Sequence, residues 1–204
     1  MLRLRFATIA VASALWMPQP HHAARTRRRA ADDDWATGEF AARCAPMAPS
    51  ADLSPETVAS ATLRGLQFVD VPHENAGLER AYNFMTPPCR AAVAQTEDRE
   101  LERFVARGLL SPSLRPFVGC LRIDFGELTR IEGTATRGAM ATVSARVVAS
   151  PLAATRHPSG IPKRDAALPE HAFVVRLQQD RRTETWRVTA LIDTVGGQGH
   201  QRLY

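Results

Sequence analysis

The stretch VDVPHENAGLERAYNF, residues 69–84, gathers Asp70, His73, Glu74, Glu79 and Tyr82 into 16 residues. These are side chains that move protons. A carboxylate or an imidazole in an apolar wall serves as a general base, and a phenol donates to a developing oxyanion. Asp70 or His73 as base, with Tyr82 as donor, would suit an isomerase- or dehydratase-type reaction. The same residues also suit an architectural corner. Asp70 ends a helix, Glu74 favours the positive end of the next, and Gly77 lets two helices close up. His73 follows Pro72 in a turn, a place where imidazoles are commonly solvated. The corner is the preferred reading, because charged helix junctions are common and tuned bases rare.

Asp124 is the other carboxylate of interest. It alternates with Ile123 and Phe125, so with those two on the core it faces solvent, and only the opposite register carries it into a pocket as a base. His171 reads as an edge residue at the start of a strand. Arg176 and Arg187 lie opposite the apolar sets of their strands and are expected to pair with acids across the sheet. No G-x-S-x-G, H-E-x-x-H, Cys/His constellation or phosphate-cradling glycine loop occurs. TVGGQGH has glycines but no helix after it, so no dinucleotide is expected, and no cluster supports a metal or another cofactor.

The elements that would position these residues follow from periodicity. Ser54 is a good N-cap, Pro55 suits the first helical position, and Glu56 favours the dipole, opening a helix over 54–69. Val58, Ala61, Thr62, Leu66 and Val69 form its apolar stripe. Further helices are expected over 75–84 and 87–93 and in EDRELERFVARG, the last stopped by Gly108. From Gly119 the period changes to two. CLRIDFGEL, TRGAMATVSARVVAS, HAFVVRLQQ and TWRVTALID read as four strands. Val143, Ala145, Val147 and Ala149 share one face, as do Phe173, Val175 and Leu177, and Trp186, Val188, Ala190 and Ile192. QDRRTE closes a hairpin, and the Pro-rich run 151–170 reads as a mobile surface loop. Helices first and a strand meander after predict an α+β fold, a long helix lying in a curved antiparallel sheet of about four strands.

The 204-residue chain is 45% apolar, enough for one domain with one core. Its charge of +5 is uneven. Residues 1–50 carry seven Arg against four acids, and residues 51–204 carry 19 basic groups against 17 acidic ones. The body is nearly neutral, which argues against a nucleic-acid partner. Cys44, Cys89 and Cys120 have neither metal nor redox spacing; Cys89 and Cys120 are expected as buried thiols, and a disulfide between them stays open.

MLRLRFATIAVASA, residues 1–14, reads as a secretory signal, with Arg3 and Arg5 before a short apolar run and Ala-Ser-Ala as cleavage site. The run is too short for a stable membrane span. LWMPQPHHAARTRRRAA then has four Arg and no acid, the charge signature of a transit peptide. Together they resemble the bipartite presequences of algae with secondary plastids, with Leu15 where those carry Phe, which implies a plastid protein; the alternative is secretion with a basic propeptide. Residues 15–50 are thus expected as transit-peptide-like segment and linker, with ADDDWATGEFAARCAPMAPSAD a loosely packed arm; 51–195 is expected as the domain and 196–204 as a flexible tail.

SPETVASATLRGLQFVDVPHENAGLERAYNFMTPPCRAAV resembles a family of plant, algal and bacterial proteins labelled a domain of unknown function. That family runs a first helix into Asn/Asp-x-Pro, then an acidic-Gly-Ile/Leu-Glu stretch, then Tyr-x-Phe-Ala-Ser-Pro. Asp70, Pro72, Gly77, Leu78, Glu79, Tyr82, Phe84, Thr86 and Pro87 match, and Met85 replaces the usual Ala. The likeness spans roughly 54–195, more weakly across the insertion. It implies an NTF2/cystatin-like cone and no particular activity, since such folds host isomerases, hydrolases and binding modules. The expectation is a non-catalytic binding or assembly domain that takes a small apolar ligand or a protein partner, including a second copy of itself. The alternative is a small isomerase or dehydratase using Tyr82 with Asp70 or Asp124.

Overall fold

A computed structural model describes residues 37–95, 100–150 and 169–194. The expected signal peptide, the basic transit-peptide-like run after it, most of the 151–170 loop and the tail lie outside the described residues. Among those described, five helices precede a four-stranded antiparallel sheet: α1 at 37–44, α2 Pro55–Gln67, α3 Ala76–Phe84, α4 Pro87–Ala94 and α5 Leu101–Gly108, then β1 Arg122–Ile131, β2 Met140–Val148, β3 Glu170–Gln179 and β4 Trp186–Asp193. The strands pair in chain order, a simple meander. The α+β architecture is as the sequence predicts.

The Ser54 Oγ accepts from the Thr57 amide at 3.2 Å, and Pro55 and Glu56 follow at the positive end of α2. Val58, Ala59, Leu63 and Leu66 are all fully buried, so α2 is covered on more than one side. One side meets the sheet and another meets α3, which is why the buried set is wider than the single stripe expected. The helix stops at Gln67, two residues short of the expected end. There Gln67 Nε2 donates to Cys120 O at 3.0 Å, while the Gly119 amide donates back to Gln67 O at 3.2 Å. This exchange fastens the start of the sheet to the end of α2.

Burial confirms the predicted faces of β2 and β3: Val143, Ala145, Val147, Phe173, Val175 and Leu177 all point at the helices. The face expected for β4 is corrected. Val175 sits opposite Leu191 and Leu177 opposite Val188, with Thr189 as an extra residue between. That bulge reverses the alternation, so Trp186, Val188 and Leu191 pack on the core and Ala190 and Ile192 turn outward with Arg176 and Val174. A second irregularity interrupts β1 between Phe125 and Leu128. Two such interruptions bend a sheet that would otherwise only twist.

The exposed backbone of β4 is covered by the α3–α4 junction. Met85 makes an isolated parallel bridge with Val188, and the Thr86 amide donates to Val188 O at 2.9 Å. The described part of the arm, from residue 37 on, is also packed more closely than its composition suggests. Ala42 is fully buried. Arg80 donates from Nε to Pro46 O at 3.1 Å, and Asn83 Nδ2 donates to Met47 O at 3.0 Å. All three cysteines are free thiols, Cys89 and Cys120 buried and Cys44 exposed. Among the described residues no helix is long and apolar enough to cross a membrane.

Candidate functional site

The corner at 69–84 is built from the backbone outward. Asp70 Oδ1 accepts from the Asn75 amide at 2.9 Å, and Asn75 takes a left-handed φ of 61° to start α3. The Gly77 amide donates to Val69 O at 2.7 Å. Asp70 thus holds the turn shut, an occupation that leaves one carboxylate oxygen committed to structure. His73 lies on the outside of this turn, its side chain 56% exposed and its Nε2 3.9 Å from Glu79. Tyr82 comes two helical turns later, at the other end of α3, a separation of about 10 Å along the axis. Its ring meets Phe104 edge to face at 5.5 Å, and the Arg90 guanidinium stacks over it at 3.7 Å.

Asp124 takes the outward register. It faces away from the buried Ile123, opposite Arg146, and pairs with Arg122 at 3.0 Å with about half its side chain exposed. The four candidates therefore stand at three separate places: Asp70 with His73 at the turn, Tyr82 under Arg90, and Asp124 on the outer sheet face. The space between helices and sheet is filled by Leu63, Leu66, Phe84, Phe104, Phe117 and Trp186. Among the described residues, recesses open from the surface instead. One of about 400 Å³ lies between α1 and the start of α2, along Cys44, Pro46, Glu56 and Ser60. Another, of about 240 Å³, lies between the hairpin ends, among Arg130, Arg137 and Asp180. None of the four candidates lines either recess.

Two groupings emerge that sequence reading missed. His171 is not an edge ornament. It shares the core side of β3 with Phe173, against whose ring it stacks at 6.0 Å, and its Nδ1 lies 3.2 Å from Asp193 Oδ2. The alternation of β3 could have placed His171, but Asp193 reaches that side only because the β4 bulge shifts it.

The second grouping surrounds the C-terminal end of α3. Arg187 was expected to pair with an acid across the sheet, and it donates from Nη1 to Asn83 O at 3.2 Å instead. Arg90 Nε donates to Met85 O at 3.0 Å. Both cations thereby meet main-chain carbonyls at the negative end of the helix dipole. Burial pushes the Arg90 guanidinium below its ordinary value; Tyr82 draws it back up and the nearby Arg187 charge lowers it again. Burial alone lowers Arg80, whose side chain is completely covered and whose Nη1 has no hydrogen-bond partner. The Cys89 thiol is pushed up to about 12 by burial, so it stays protonated and inert at neutral pH. Among the described residues no group of three or more His, Cys, Asp and Glu side chains is placed to hold a metal ion.

No family model, no curated protein and no solved structure matches the chain.

Proposed function

We propose that this chain is a non-catalytic NTF2-like binding or assembly domain acting in the plastid. One observation carries the reading: the volume where a cone of this kind would house a reaction is filled by buried side chains, while Asp70, His73 and Asp124 lie on its exterior and Tyr82 stands apart from them under Arg90. An enzyme needs two or more polar groups converging on one enclosed point. Recognition needs only a surface, and the outward side of the sheet offers one, with Val174 and Ile192 between Ser144 and the arginines at 146 and 176. A filled interior also favours a protein partner over an enclosed apolar ligand.

The test is native mass spectrometry of the mature protein drawn from its own cell. A protein complex, or a homodimer, is expected. A stoichiometric apolar small molecule retained in the fold would overturn the surface reading. Plastid delivery rests on the charge pattern of residues 1–50, and a fluorescent reporter fused behind them should enter the organelle; extracellular signal would defeat that part.

A second reading has its own support. A carboxylate on Nδ1 orients the His171 ring and leaves Nε2 facing away from the pair, the arrangement of a general base. It would make the chain a proton-transfer enzyme, with His171 in place of Tyr82, Asp70 or Asp124. Catalysis that survives His171→Gln would remove it.

A further inference from the structure

Arg90 and Arg187 are two cations held side by side. Their anchoring carbonyls, Met85 O and Asn83 O, are two residues apart in the chain. Each guanidinium directs one N–H at its carbonyl, and Arg90 also hydrogen-bonds the Tyr82 side chain, so each fork gives only part of its donors to these contacts. Neither can swing away freely. Arg90 is stacked on the Tyr82 ring, which is itself braced by Phe104, and Arg187 projects from a paired strand. Among the described residues no carboxylate forms an ion pair with either one. Like charges kept together, half-buried and without an acid, are costly unless something else balances them. The C-terminal end of α3 supplies part of that balance through its carbonyl dipoles, worth only about half an elementary charge against two.

We propose that Arg187 and Arg90, the latter stacked on the Tyr82 ring, form a binding site for the dianionic phosphate group of a small phosphorylated molecule. Two charges and two planar forks match a phosphate monoester. A carboxylate carries one charge and engages one fork. A nucleic acid is a poorer match, because a phosphodiester carries a single charge and binding needs a track of such contacts, which the nearly neutral body lacks. The proposal rests on the binding-domain reading and names its ligand class. A chain that binds a protein partner and ignores phosphate would lose this site and keep that reading.

The experiment titrates the full chain with inorganic phosphate at constant ionic strength, with chloride and acetate as controls. The thermal midpoint and the backbone and Arg side-chain NH resonances are followed together. Phosphate should give a saturable shift centred on Arg90, Arg187 and residues 83–86, and acetate and chloride should not. Arg187→Gln should weaken the phosphate response by about tenfold or more, since it removes a charged donor. Arg90→Lys keeps the charge but loses the fork and should also weaken it. Arg115→Gln, an exposed arginine between α5 and β1, should bind like the parent. A response no larger than that to chloride, resonances that move elsewhere in the chain, or equal weakening in Arg115→Gln would each overturn the site. The parent chain's resonance map decides the matter even if a variant fails to fold.

Discussion

Gly77→Ala tests the corner most directly. Position 77 is where α2 and α3 cross at closest approach. A Cβ added there would lie 2.7 Å from the carbonyl carbon of Gly65 and 2.9 Å from the Val69 Cα, with the Gly65 oxygen closer still. Carbon atoms rest about 3.5–4.0 Å apart, so the two backbones must separate by roughly 1 Å. All the obstructing atoms are main chain, and no side chain can rotate out of the way. Overpacking of this kind costs about 1–3 kcal/mol. The separation also stretches the Gly77 amide bond to Val69 O, now 2.7 Å, worth about 1 kcal/mol more. Against this stands the propensity gain of Ala over Gly, at most about 1 kcal/mol and smaller so near the helix start. The net expectation is a loss of about 2–3 kcal/mol, a large share of the roughly 5–15 kcal/mol that holds a domain together. Urea unfolding followed by circular dichroism should show the midpoint falling with an unchanged slope. Gly119→Ala is the control: its φ is +62°, with open space where a Cβ would go, so only the backbone strain of about 1–2 kcal/mol applies. A Gly77→Ala protein as stable as the parent would refute the close crossing, and with it the reason the corner is shaped as it is.

Three further outcomes follow from the same structure. Arg80→Met removes the donors on Ala45 O and Pro46 O, and amide exchange across residues 37–50 should speed up while overall stability falls by about 1–3 kcal/mol; an arm that exchanges as slowly as before would mean something else holds it. Asp180 is held below its ordinary value of 3.8 by the Thr183 and Arg182 amides, so its support for the β3–β4 turn is whole above that value and fades as pH falls through the lower, folded one. The Thr183 and Arg182 amide resonances should titrate with a midpoint under 3.8, and a midpoint above it would contradict the geometry. With a thiol reagent at pH 8, Cys44 alone of the three cysteines should react in the folded chain and all three in denaturant; prompt labelling of Cys89 would contradict its burial.

What the sequence determined was local. Ser54-Pro55 with Glu56 announces a helix start wherever it sits, because a cap and a fixed φ need no distant partner. Alternation in VSARVV and FVVRL likewise marks a buried face, since a pleated strand offers only two. From such signs the α+β order, the hairpin at 180–185 and the outward Asp124 were all legible. The tertiary structure decided everything that depends on one element meeting another. The Thr189 bulge carries no sequence mark, yet it turns Ile192 outward and brings Asp193 to His171. Arg90 and Arg187 lie far apart in the chain; both reach the end of α3 because the α3–α4 junction pairs with β4 through Met85 and Val188. Pairing between strand edges is made by main-chain groups common to every residue, so side-chain spacing alone cannot encode which segments it will join.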